Sequence, residues 1–184
     1  LYGLYPSDLF NPEERPDEYD AALLALDSRL EQGGGHTGWS RAWVACLSAR
    51  AGRGEAVREH LRGLVVDFAT ESLLDLHPPR IFQIDGNLGA AACLNEALAQ
   101  YWNGCLHLLR ALPAAWPSGR VSGMHVPGGH RISFRWQDGQ LVDLHVKLGY
   151  AGALTIAGPG LAQRKVLTGR PDELFDLHVA RTDN

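Results

Sequence analysis

The 184 residues predict an α+β fold, with helices first and an antiparallel, sandwich-like β domain after them. Three observations carry that prediction. Up to about residue 104, apolar residues recur at three- and four-residue spacing, as one face of a helix requires. From residue 105 the spacing shortens to alternation, as half-buried strands require. Between the two regimes, residues 112–119 hold Pro113, Pro117 and Gly119, which interrupt both kinds of element. The expected division is therefore 1–112 for the helical part and 113–184 for the β part.

Taken in order, Tyr19, Leu23, Leu26 and Leu30 mark the inner face of a first helix, which Gly33-Gly34-Gly35 ends. Trp39, Trp43, Cys46 and Leu47 mark a second, with Thr37 placed to cap its start and Ala51-Gly52 at its end. Val57, Leu61, Leu64, Val65 and Phe68 mark a third. Pro78 and Pro79 stop any helix and favour an extended approach to the apolar run 81–84. Asp85-Gly86-Asn87 is turn chemistry, with Asn87 a cap for a fourth helix over 88–101. Helix pairs joined by short turns fit an (α/α) toroid and a small bundle equally well.

In the second part, 121–126, 130–136, 141–148 and 153–157 read as strands, with Asp138-Gly139 a hairpin turn and Gly128-Gly129 another. Ile132, Phe134 and Trp136 share one face, and Arg131, Ser133 and Arg135 the other, so one face of the sheet is buried.

Composition excludes several function classes. A net charge of −4 leaves no basic footprint for nucleic acid. No run approaches the ~18 apolar residues of a membrane-spanning helix. Residues 1–30 lack the pattern of a signal peptide, an absence that says little about the compartment. The three cysteines, Cys46, Cys93 and Cys105, have no CxxC spacing, so free thiols are expected, with Cys46 and Cys93 as small core residues. His125 and His130 flank a glycine turn and are placed to touch across a hairpin, but two histidines without a third ligand make a poor metal site. Neither a metal nor a cofactor is expected.

The densest chemistry lies between the third and fourth helices, in His77-Pro78-Pro79-Arg80-Ile81-Phe82-Gln83-Ile84-Asp85-Gly86-Asn87-Leu88-Gly89. Further strings are Leu1-Tyr2-Gly3-Leu4-Tyr5-Pro6, His36-Thr37-Gly38-Trp39-Ser40-Arg41-Ala42-Trp43, Leu106 to Pro113, and Ala115-Trp116-Pro117. In this order they resemble glycoside hydrolase family 95, the inverting 1,2-α-L-fucosidases and their α-L-galactosidase relatives. The likeness covers residues 1 to about 140 and is diffuse beyond. It implies that the helices are the last ones of an (α/α)6 catalytic barrel and that the β part is the domain following it. The family's general acid, a Glu, and its water-holding Asn pair have no counterpart here. The resemblance thus implies a C-terminal portion, inactive by itself, whose partners are the remainder of the barrel and an oligosaccharide substrate. The compartment stays open.

Asp85 is the first candidate residue. From the residues alone it either caps a helix start or carries chemistry, since connections hold function more often than core elements do. The resemblance implies the second role, in which an Asp hydrogen-bonded to amides strengthens their hold on the attacking water. His77, Gln83, Asn87, His36 and Trp39 are the candidate substrate contacts. Each has a structural alternative: a satisfied histidine for His77, a cap for Asn87, a core aromatic for Trp39. His36 stands where many relatives in that family carry Gly. Arg41 is either solvated or paired with Asp75 or Asp85. The functional alternative to an enzyme portion is a non-catalytic carbohydrate-binding or structural module.

Overall fold

The computed structural model describes residues 1–179. Among these, four α-helices come first and two four-stranded sheets close the chain. Helix α1 (Pro16–Glu31) starts on a proline with Asp17 and Glu18 in its first turn, where acidic side chains favour the helix dipole. It ends as a Schellman motif. Gly33, at φ +83°, donates to Leu30 O, and Gly34 donates to Arg29 O. Tyr19, Ala22 and Leu26 bury its inner face against Leu4 and Leu47.

Helix α2 (Gly38–Arg50) is buried along most of its length, from Ala42 and Val44 to Ala49. Thr37 occupies its cap position with extended backbone, but its hydroxyl makes no capping hydrogen bond. Helix α3 (Gly54–Gly63) is shorter than the periodicity implies. The chain continues from Leu64 to Phe68 as a π-helical turn, which rotates Val65 and Val66 into solvent. A two-residue hairpin follows, β1 (Leu76–His77) against β2 (Ile81–Phe82), with Leu76 opposite Phe82.

Helix α4 (Ile84–Leu98) begins earlier than expected and ends earlier. Gln83 is its cap residue, so Asp85, Gly86 and Asn87 lie in its first turn and are neither a turn nor a cap. At its other end the helix gives way to β3 (Ala99–Trp102), which turns through Asn103-Gly104 into β4 (Cys105–Leu108). Asn103 and Gly104 both hold positive φ, at +49° and +65°, the geometry of a tight hairpin turn. The two large sheets therefore start at Ala99, and the helical reading of residues up to 104 is corrected there.

The remaining strands are β5 (Gly119–Val126), β6 (His130–Gln137), β7 (Gln140–Lys147), β8 (Gly152–Ala157), β9 (Lys165–Gly169) and β10 (Leu174–His178). One sheet runs β10-β7-β6-β5 with antiparallel neighbours, and the other runs β3-β4-β8-β9. In the second sheet, β4 and β8 pair in parallel, against the expectation of wholly antiparallel strands. A parallel pair needs a long crossover, and β5 to β7 of the other sheet supply it. Both sheets face one core containing Leu106, Phe134, Leu144, Leu154 and Ile156. Arg131 and Arg135 face out as the alternation of β6 requires. His125 and His130 do not touch: His125 stands opposite Arg131 and is exposed, whereas His130 stands opposite Val126 and is buried. All three cysteines are free and buried. No helix among the described residues is long and apolar enough to cross a membrane.

Candidate functional site

Helices α2 and α4 pack closely because the sequence places small residues where they meet. Ala45, Cys46 and Ala49 of α2 share a buried cluster with Cys93 and Ala97 of α4. A methyl group at Gly89 would stand 2.7 Å from the Ala42 Cβ, so glycine sets the approach of the two helices there. Polar contacts reinforce the seam. The Cys46 thiol donates to Gly89 O at 3.5 Å, and Gln100 Nε2 donates to Ala49 O at 2.7 Å. Arg50 grips Glu96 with two hydrogen bonds, at 2.6 and 3.2 Å.

Toward the start of both helices the seam opens into a cavity of about 420 Å³ lined by Tyr5, Trp39, Ala42, Trp43, Cys46, Asp85 and Gly89. This volume lies within the range of small-molecule sites. Its walls are largely aromatic. The Trp43 indole N–H donates to Tyr5 O at 3.1 Å, fixing one wall, while Trp39 remains 43% exposed. Asp85 is exposed in the first turn of α4, where the helix dipole favours a carboxylate. Beneath the floor, the Cys93 thiol hydrogen-bonds Cys46 and holds its thiol below the usual value, while the same bond raises that of Cys93. Burial pushes the Tyr5 hydroxyl well above its ordinary range, and the neighbouring Cys46 adds to the effect.

Of the expected site residues, this cavity gathers Asp85 and Trp39. It adds Tyr5 and Trp43, the first of which the residue-level reading passed over although it sits in the opening motif. His77 lines a separate cavity of about 340 Å³ with Asp67, Phe68, Pro78 and Arg80, and its ring bonds the Pro78 carbonyl. Asn87 lines a third cavity. Its amide is engaged at both ends: Oδ1 accepts from the Asp75 N–H at 2.9 Å and Nδ2 donates to Leu73 O at 2.6 Å. Gln83 leads into α4, and its buried Oε1 has no partner among the described residues. His36 is exposed and its Nδ1 lies 3.1 Å from Gly33 O. Arg41 donates to Gly35 O at 3.1 Å and lies over the Phe68 ring, so it pairs with neither Asp75 nor Asp85.

Asp75, expected at most as a partner of Arg41, is the buried carboxylate of this region. It is 3% exposed, and no side chain among the described residues hydrogen-bonds either of its oxygens. Burial raises its carboxyl above the usual range; the nearby Leu76 N–H opposes this and the charge of Asp85 adds to it.

Comparison with known proteins gives consistent matches. Residues 1–98 match the glycosyl hydrolase family 95 catalytic domain, and residues 100–172 match the glycoside hydrolase family 95 C-terminal domain. The α-L-fucosidase 2 of Arabidopsis thaliana is 33% identical over 100% of the chain and 23% of its own length. A probable α-fucosidase A of Aspergillus niger is 29% identical over 78% of the chain, and that of Aspergillus oryzae is 30% identical over the same share. The chain spans 20% and 22% of the length of these two fungal relatives.

Proposed function

The chain belongs to glycoside hydrolase family 95, and on that premise we propose that it supplies Asp85 to a hydrolase releasing terminal α-L-fucose, or α-L-galactose, from oligosaccharides with inversion. Inversion needs an acid on the leaving oxygen and a base that activates water on the opposite face of the ring. In this reading Asp85 serves the base side. It accepts hydrogen bonds from amides that hold the water and so strengthens their ability to take its proton. Trp39 and Tyr5 offer apolar faces to the sugar. The observation that carries the reading is the convergence of Asp85 and Trp39, from two separate motifs, on one aromatic-walled cavity. His77, Gln83, Asn87 and His36 are also proposed as substrate contacts, although none of them lines that cavity.

Two further points support the barrel reading. Ile84 and Leu88 lie one turn apart on α4 and are 55% and 63% exposed; Val66, Leu73 and Ile81 are similarly uncovered. Apolar surface of this extent suits a neighbour of matching character, and the remainder of a catalytic barrel provides one. The cavity's lining residues include one carboxylate, Asp85, where the chemistry needs an acid as well. The 184-residue chain alone is therefore expected to bind sugar without turning it over.

The test is Asp85→Asn in the complete protein, assayed on a fucosylated oligosaccharide. Loss of a positioned general base costs ~10² to 10⁴ in rate, whereas a lost helix-start interaction costs about 1 kcal/mol. The variant should melt within a few degrees of the parent, with kcat nearly abolished and KM little changed. Near-parental kcat would return Asp85 to a structural role. The second reading, sugar binding without chemistry, is favoured by the aromatic cavity; it wins if the complete protein binds the oligosaccharide and never hydrolyses it.

A further inference from the structure

We propose that Asp75 is a positioning residue: its carboxylate, wedged between the starts of α2 and α4, sets the distance at which Asp85 faces Trp39. The inference rests on the reading that Asp85 serves turnover. Its geometry is specific. A methyl at Gly38 would fall 2.0 Å from Asp75 Oδ1, and one at Gly86 would fall 2.1 Å from its carboxyl carbon. Both positions must therefore be glycine for the carboxylate to fit between them. Gly38 immediately precedes Trp39, and Gly86 immediately follows Asp85. The two backbones that touch the wedge are the ones carrying the two walls of the cavity.

The wedge is itself held from behind. The Asp75 N–H donates to Asn87 Oδ1 at 2.9 Å, and its carbonyl accepts from the Gln83 N–H at 3.0 Å. Asp75 is thus tied to the first turn of α4 on both sides of Asp85, while its side chain reaches across to α2. A buried carboxylate that no side chain partners is costly, and the Leu76 N–H offsets only part of that cost. The positive ends of two helices, of 13 and 15 residues, offset part of that cost. An apolar filler of the same size would avoid it. What the fold uses at this position is the shape and fixed anchorage of the side chain between Gly38 and Gly86.

The test compares kcat, KM and melting temperature in the complete protein for Asp75→Asn, Asp75→Ser, Gly86→Ala and the Gly86→Ala/Asp75→Ser pair. Asp75→Asn keeps the shape and should retain kcat within about threefold. Gly86→Ala forces the start of α4 off the wedge. A misplacement near 1 Å costs up to about a hundredfold, so kcat should fall at least about tenfold with KM within about threefold. Shortening the wedge in that background makes room for the new methyl, so the pair should run faster than Gly86→Ala alone. If Gly86→Ala does not fold, Asp75→Ser reads the same loss by emptying the wedge. Parental kcat in Gly86→Ala or Asp75→Ser overturns the proposal. So does a pair no faster than Gly86→Ala, or an Asn variant as slow as the Ser variant. Asp85→Asn run alongside separates the two ideas. An active Asp85→Asn enzyme sinks the site reading, whereas an inactive one beside unaffected Asp75 and Gly86 variants sinks only the wedge.

Discussion

Replacing Arg50 with Met probes what holds the cavity's two helices together. Arg50 and Glu96 form a two-pronged pair, Nε to Oε2 at 2.6 Å and Nη2 to Oε1 at 3.2 Å, with side chains only 10% and 18% exposed. Burial raises the Glu96 carboxyl above its ordinary value, and Arg50 pulls it back. Removing one partner of a buried pair leaves the other charge uncompensated, at a cost of about 3 to 5 kcal/mol. We expect about 3 kcal/mol for Arg50→Met, since Met keeps most of the packing of the arginine stem. The sign with pH follows from the raised carboxyl. A carboxyl raised on folding favours the folded state below its unfolded value and penalises it as pH rises through the folded value. Without the guanidinium the raise is larger, so the deficit of Arg50→Met should be full at neutral pH and shrink near pH 4.5, the ordinary value for Glu. Adding Glu96→Gln should recover roughly half of the loss, because the double variant has no buried charge left. Urea unfolding of the complete protein at both pH values measures all three quantities. A neutral-pH deficit below about 1 kcal/mol, or one that does not shrink in acid, would refute the reasoning.

Two further outcomes can be checked directly. His107 is stacked on Trp102 at 3.6 Å, and burial pushes its imidazole down from 6.5 to about 4. Folding then favours the neutral ring, so stability falls as pH drops from about 6.5 towards about 4, by up to about 3 kcal/mol; His107→Phe, which keeps the stack and cannot titrate, should flatten that part of a melting-temperature profile. Trp39→Ala should raise KM about tenfold, near 1.4 kcal/mol of lost contact, and leave kcat nearly unchanged, while Trp39→Phe should lie between; steady-state kinetics on the fucosylated oligosaccharide decides.

Much of the fold was legible where a local rule and the tertiary structure agree. The triple glycine ends α1 by the hydrogen bonds its composition suggests, and Asp138-Gly139 turns β6 into β7 with both residues at positive φ. The alternation of 130–136 survives intact because one side of β6 meets the core and the other meets solvent. The errors cluster where two rules compete. Ala99 to Trp102 continues the apolar spacing of α4, and that spacing outweighed Asn103-Gly104, a hairpin signal strong enough to have moved the boundary. Leu64 to Phe68 fits helical periodicity, yet a π turn rotates Val65 outward, which a strict period of 3.6 does not anticipate. Strands β9 and β10 escaped notice because Lys165–Gly169 and Leu174–His178 are short and half exposed, so their alternation is faint.

The candidate site divides along a similar line. Asp85 and Trp39 stand in recognisable strings, and both strings open helices, so their side chains meet at one end of the α2–α4 seam. Asp75 carries no such mark. It follows Leu73 and Leu74 in a connecting segment, and nothing local separates it from a solvated loop carboxylate. Its burial arises from Gly38 and Gly86, residues far from it in sequence that read locally as a helix start and a turn. A glycine that makes room for a carboxylate is indistinguishable in sequence from one that makes room for its own backbone. The distinction lies in which atom a methyl at each position would strike. By that criterion Gly38 and Gly86 strike Asp75, whereas Gly89 strikes Ala42. The first two glycines therefore serve the geometry of the cavity mouth, and the third serves the packing of the seam. Their substitutions should separate accordingly, Gly86→Ala through turnover and Gly89→Ala through stability.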